Sequence, residues 1–289
     1  MFVCFTSFYI FVHNNALKKK PFMLNLKHLV STFCLFLIVQ TASAQLGFSH
    51  EVGVIAGPVQ FRSDFGSRED SKTNFGNSGY GIGIVHYLNF AYRADCNCYT
   101  TDTFFNDHFK LRNELSYNKT NLEHLGKWVS PDRTTIEANQ LRAHKGVAKN
   151  LDIGTQLEFF PLSIRDFQGF AYSFAPFVSF GVHYTSFTPE VSTTYANPDP
   201  TAVGDVTDPS NFYSAWEPGS VDASPGSTWS IVSSVGVRYK LTKVSDLMLD
   251  LRWQYYFNDR IDGLDHQLSY NKYNDWLVWL NFGYIYYLD

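Results

Sequence analysis

The sequence predicts an all-β protein, an eight-stranded antiparallel up-and-down transmembrane β-barrel with long extracellular loops. Three observations lead there. Eight segments alternate apolar and polar residues with a period of two. The connections between them alternate long and short, and aromatic residues recur near both ends of the apolar faces.

The front of the chain sets the compartment. Lys27 and His28 precede the apolar run Leu29 to Val39, and Ala42-Ser43-Ala44 supplies small residues ahead of a cut before Gln45. That pattern is a secretory signal peptide over 23–44, and its apolar run is short of the ~20 residues that a spanning helix needs. Residues 45–289 are then the mature barrel. Residues 1–22 hold a second apolar run, Met1 to His13, and Lys18-Lys19-Lys20; they read as an upstream extension ahead of the true start at Met23, with a helical membrane anchor as the alternative. Phe33 is too large for a lipoprotein cleavage before Cys34, which argues against lipidation.

The 289 residues are 45% hydrophobic and 17% aromatic with a net charge of −4, and no basic patch stands out, so a nucleic-acid partner is not expected. Of four cysteines, the leader removes Cys4 and Cys34. Cys96 and Cys98 remain as a possible disulfide in an exported chain, either joined across a short, strained ring or present as two thiols.

The segments run in order. His50 to Phe61 sets Val52, Val54 and Ala56 against Glu51, Gly53 and Gly57. Gly79 to Arg93 sets Tyr80, Ile82, Ile84, Leu88, Phe90 and Tyr92 against Gly79, Gly81, Gly83, Asn89 and Arg93. The third sets Phe109, Leu111, Leu115 and Tyr117 against His108, Lys110, Arg112, Glu114 and Ser116; the fourth sets Leu151, Ile153, Leu157 and Phe159 against Asp152, Gly154, Gln156 and Glu158. Tyr172 to Phe187 is the fifth, with Pro176 as an irregularity. The sixth sets Trp229, Ile231, Val235, Val237 and Tyr239 against Ser230, Ser234, Gly236, Arg238 and Lys240, and the seventh sets Leu247, Leu249, Leu251, Trp253, Tyr255 and Phe257 against Asp246, Asp250, Arg252 and Gln254. The last, Trp276 to Leu288, has a wholly apolar even face.

Each odd-numbered connection exceeds its neighbours, and the longest, Thr188 to Ser227, is rich in Pro, Ser, Thr, Asp and Gly. This asymmetry places both termini in the periplasm. The polar faces alternate glycines with charges of both signs, which suits a narrow interior better than a water-washed surface, so the apolar faces point to lipid. An eight-stranded interior holds little beyond its own side chains. Lys110, Arg112, Glu114, Asp152, Glu158, Arg238, Asp250 and Arg252 are the candidate charge network plugging it.

No catalytic, cofactor-binding or metal-binding pattern is found. Gly79-x-Gly81-x-Gly83 lies within a strand and no helix follows it to receive a phosphate. The nine histidines are scattered; His86, His108 and His183 fall on strands, without a serine or aspartate that sequence can assign to them.

Glu51-Val-Gly-Val-x-x-Gly57, Gly79-Tyr-Gly-Ile-Gly-Ile and Asn89-Phe-Ala-Tyr-Arg93 resemble the first hairpin of Bacteroidetes outer-membrane barrels related to PorG of the type IX secretion system. Pro176 to Tyr184, Tyr255 to Asp262, Asn274-Asp-Trp-Leu and Tyr284 to Tyr287 resemble that family's middle and last strands. The resemblance implies an outer-membrane anchor that contacts lipid and holds periplasmic secretion-system proteins, without catalysis or cofactor. Cys96-Asn-Cys98 and the 188–227 loop depart from the family pattern. The expected function is a non-enzymatic structural or interaction component of the outer membrane, accessory to secretion or gliding; the alternatives are a lipid-modifying enzyme and a small-solute channel.

Overall fold

The computed structural model describes residues 48–67, 70, 75–90, 104–195, 204, 208–266, 268–269 and 273–288. The expected extension 1–22, the expected signal peptide 23–44 and the Cys96/Cys98 pair lie outside the described residues.

Eight long strands follow one another: β1 (Ser49–Arg62), β2 (Ser78–Asn89), β3 (Phe109–Glu123), β4 (His144–Phe159), β5 (Phe174–Phe187), β7 (Gly226–Thr242), β8 (Ser245–Tyr256) and β9 (Trp276–Tyr287). Each pairs antiparallel with the next, and β1 pairs with β9, with Val54 opposite Tyr284. The sheet therefore closes on itself and no long edge is left to template other chains. A short strand, β6 (Glu190–Thr193), adds to the outer end of β4. Among the described residues, three short α-helices lie between strands: α1 (Phe104–His108), α2 (Ile136–Ala143) and α3 (Ile164–Gln168).

The pleat sorts the side chains as the two-residue period requires. On the outside, Ile84 is 60% exposed, Phe180 61% and Phe282 57%, while Arg112, Arg238 and Arg252 inside are fully buried. A water-soluble barrel would show the reverse. Twelve residues in β9, at ~3.3 Å each and tilted by about 40°, rise roughly 30 Å, the thickness of a bilayer core. Tyr80, Tyr184, Trp229, Tyr255 and Trp276 mark the outer end of this apolar band.

Four boundaries differ from the sequence expectation. β3 and β4 run several residues further outward, because their ladder continues past the apolar band, where Lys119, Asn121, Glu123, Lys145 and Lys149 break the apolar alternation without breaking the pairing. β2 ends at Asn89 with Phe90 outside it, while Tyr92 and Arg93, expected on this strand, lie outside the described residues. β5 begins at Phe174, so Tyr172 lies in the preceding turn, where its hydroxyl donates to the Ser163 carbonyl, and Phe174 stands beside Tyr239 with ring centroids 5.0 Å apart. The first periplasmic connection, 90–108, is consequently longer than the first outer loop, 63–77, so the long–short alternation fails at that step; it holds for the later connections.

Glycine on the inner face makes room for bulk across the lumen. A Cβ on Gly81 would lie 2.4 Å from the Trp279 indole, which is wholly buried and carries the Arg252 guanidinium 4.9 Å from its ring centre. Gly81→Val is expected to destabilise the barrel by about 1–3 kcal/mol through overpacking, read as a lower urea midpoint with an unchanged slope.

Candidate functional site: a filled lumen beneath a closed loop cap

Alternation on β1, β3, β4, β7 and β8 delivers charged side chains to a buried stretch of the lumen. Glu51 receives Lys110 Nζ at 2.5 Å and Arg238 Nη1 at 2.6 Å. Arg238 reaches on to Glu158 at 3.1 Å, which Arg112 meets at 3.4 Å. Arg112 also holds Asp250 and Glu114, both at 2.8 Å, and Arg252 grips Glu114 through two hydrogen bonds of 2.6 Å. Towards the periplasmic end Lys240 pairs with Asp246 at 3.3 Å, and Arg238 lies 3.8 Å from the same carboxylate.

Lys110, Arg112, Arg238, Lys240 and Arg252 thus face Glu51, Glu114, Glu158, Asp246 and Asp250, and the network is neutral. Neutrality and mutual hydrogen bonding are what make burial of so many charges tolerable. Seven of the eight residues picked out by sequence lie in this network. Asp152 does not: it accepts from Asn118 (3.1 Å), Thr185 (2.5 Å) and Gln254 (2.8 Å), all neutral donors nearer the outer end. Glu51, Lys240 and Asp246 belong to the network although the candidate set lacks them; each had its place on a polar strand face.

Above the lumen the four outer loops converge on two histidines. The Gly66 amide donates to Nδ1 of His124 at 2.9 Å, so the imidazole proton sits on Nε2 and donates to Nδ1 of His144, also at 2.9 Å. Phe65 stacks on both rings, its centroid 4.9 Å from each. Phe65 in turn fits over Gly146, where a Cβ would fall 2.4 Å from its ring. Trp216 closes the cluster, edge-on to His144 and stacked on His266 at 5.8 Å.

Polar ties join the loops around this cluster. Asp262 accepts the amides of Asp64 (2.9 Å) and Leu264 (2.8 Å), Gln140 donates to the Ser210 carbonyl, and Arg260 pairs with Asp222 at 2.9 Å. Burial sets the charge states. It holds the His124 imidazole well below its ordinary pKa, with His144 and His266 adding to the effect, and lowers His144 to about 3. It pushes the Asp262 carboxyl up to about 7.

Between the loops lies a cavity of about 420 Å³, walled by Trp128, Tyr213, Trp216 and His124, with Asp64, Arg133 and Glu137 as its charged members. Its size and aromatic lining are those of a small-molecule site. Asp64, Asp259 and Asp265 each bring one carboxylate oxygen within 4.8 Å of the others, a spacing that a hard divalent cation tolerates, although Arg260 already approaches Asp265 at 3.7 Å. His86 contacts His50 and Asn113, His108 the Phe104 carbonyl, and His183 the Gln156 amide. Among the described residues none of these three imidazole rings hydrogen-bonds a serine or aspartate, although the His183 carbonyl accepts from the Ser230 hydroxyl.

The chain is an eight-stranded barrel of the outer membrane. Its closed register and outward apolar band carry that statement. No protein-family model matches the chain, and no curated protein sequence matches it. Among solved structures it is similar to Neisserial surface protein A, at 12% identity and a TM-score of 0.40, covering 82% of this chain and 96% of that one. It is similar to OprG from Pseudomonas aeruginosa at 13% identity and a TM-score of 0.38, covering 83% and 97%. A major outer membrane protein from Thermus thermophilus shows 15% identity and a TM-score of 0.42, with 83% and 99% covered.

Proposed function

We propose that this outer-membrane barrel is a non-enzymatic structural and interaction component, accessory to type IX secretion or gliding, that holds periplasmic secretion proteins in place. The observation that carries the reading is the filled lumen. Arg112, Arg238 and Arg252, all fully buried, cross-link carboxylates from β1, β3, β4 and β8 within the barrel. Side chains tied in this way leave the barrel to work through what its two ends present. The sequence resemblance to PorG-type barrels supports the secretion role.

Affinity capture of the tagged protein from cross-linked, detergent-solubilised envelope tests the proposal. Enrichment of periplasmic secretion components is the expected result. Their absence, or loss of the barrel without a secretion or gliding defect, would contradict it. Membrane-lipid profiles from a deletion strain are expected to be unchanged; a missing lipid modification would instead favour the enzyme.

A further inference from the structure

The outer face of the β3–β4 hairpin breaks the pattern of the rest of the barrel wall. Just outward of the aromatic belt formed by Tyr80, Tyr184, Trp229 and Trp276, β3 and β4 present Lys119 and Lys149, paired directly across the ladder, with Tyr80 opposite Lys119 on the other side. Like charges facing each other across a sheet destabilise it, and cations beside the hydrocarbon edge add a depth-dependent penalty. Lys145 and Lys149 are each matched, by Glu123 at 2.7 Å and by Glu190 respectively. Lys119 has no ion-pair partner among the described residues, so the patch holds three lysines against two glutamates.

We propose that this patch binds a phosphorylated lipid headgroup of the outer leaflet, one phosphate lying between Lys119 and Lys149 with Tyr80 and Tyr117 at the acyl boundary. Charge complementarity selects the occupant. The site opens sideways into the bilayer interface, where the available anions are lipid phosphates and where each lysine near the charged headgroup layer adds to attraction. Tyr117 lies one outward-facing position below Lys119 and opposite Leu151, which places aromatic surface against the first carbons of the acyl chains. The reading also explains why β3 and β4 continue as a paired ladder beyond the apolar band: the hairpin is the wall on which the headgroup rests.

Native mass spectrometry of the full chain in micelles, given bis-phosphorylated lipid A or the same lipid stripped of phosphate, tests this. The wild type is expected to retain the phosphorylated form about 10- to 30-fold better, the factor that two lysines supply at ~1 kcal/mol each. The double substitution Lys119→Gln with Lys149→Gln should abolish that preference, and Lys119→Arg with Lys149→Arg should keep it. Heat-modifiable gel mobility confirms that each variant is folded. Equal retention of the two lipids by the wild type, or a preference that survives the glutamine pair, would overturn the proposal. Displacement of bound lipid by millimolar inorganic phosphate would also overturn it, by making the patch a free-anion site.

Discussion

Arg112→Met is expected to lower the unfolding free energy of the barrel by about 3–5 kcal/mol, the range for removing one partner from a buried ion pair. The reason lies in how its three carboxylates are shared. Glu114 keeps Arg252 and Glu158 keeps Arg238, but among the described residues Asp250 has no other cation and is left with Asn281 Nδ2 at 3.2 Å. The uncompensated charge is therefore on one known residue. Arg112→Met combined with Asp250→Asn should recover most of the loss, because the apolar replacement then faces an amide instead of a carboxylate. Urea titration in phospholipid vesicles measures both variants. A single substitution within about 0.5 kcal/mol of the wild type, or a double no better than the single, would mean that the network does not hold the lumen together.

Acidification from pH 7.5 to 5 is expected to open the loop cap while leaving the barrel closed. His124 and His144 are neutral in the folded protein, with pKa values depressed by burial. Their contribution is complete above the unfolded value near ~6.5 and falls away as pH drops below it, at about 1.4 kcal/mol per imidazole per pH unit. Asp262 acts in the opposite sense. Its carboxyl is pushed up to about 7, so its contribution is complete below the unfolded value near ~3.9 and is lost as pH rises through the folded one. Two protons against one leave a net loss of about 2 kcal/mol between pH 6.5 and 5. Protonation also places charge in a box walled by Phe65, Phe212 and Trp216, which has no carboxylate on either ring nitrogen.

Protease nicking of the outer loops and the emission of Trp216 should both report this opening, with heat-modifiable mobility unchanged. His144→Phe, which keeps a ring against Phe65 and removes one titrating group, should flatten the response. Equal protease resistance at both pH values would contradict the account of the cap.

The barrel was legible in the sequence because its two solvents are so different. Lipid outside and a tight polar lumen inside force a strict two-residue period, and in β9 the faces carrying Trp276, Phe282 and Tyr286 or Trp279, Asn281 and Ile285 fall where alternation puts them. Period fails where the solvents become alike. Past the apolar band both faces of β3 and β4 meet polar surroundings, so Lys119 to Glu123 and His144 to Lys149 read as loop although they are paired. The cap was not legible, since Phe65, His124, His144 and Trp216 come from loops and the start of β4, and they meet only through tertiary packing. Gly146, which admits Phe65, was the nearest thing to a local signal.

The network itself was half legible. Charges on polar faces could be assigned to the lumen, but a face says nothing of height along the strand. Asp152 lies nearer the outer end, among neutral donors, whereas Asp246, on the same kind of face, joins Lys240 and Arg238.

The central claim is that the lumen is closed by its own side chains, and conductance tests it most directly. Purified protein inserted into planar bilayers at neutral pH should give no stable single-channel steps, and Arg112→Met with Asp250→Asn should remain silent as long as it is folded. Uniform, long-lived steps in the wild type, abolished by neither loop proteolysis nor antibody against the cap, would show a continuous water path past Arg112 and contradict the account.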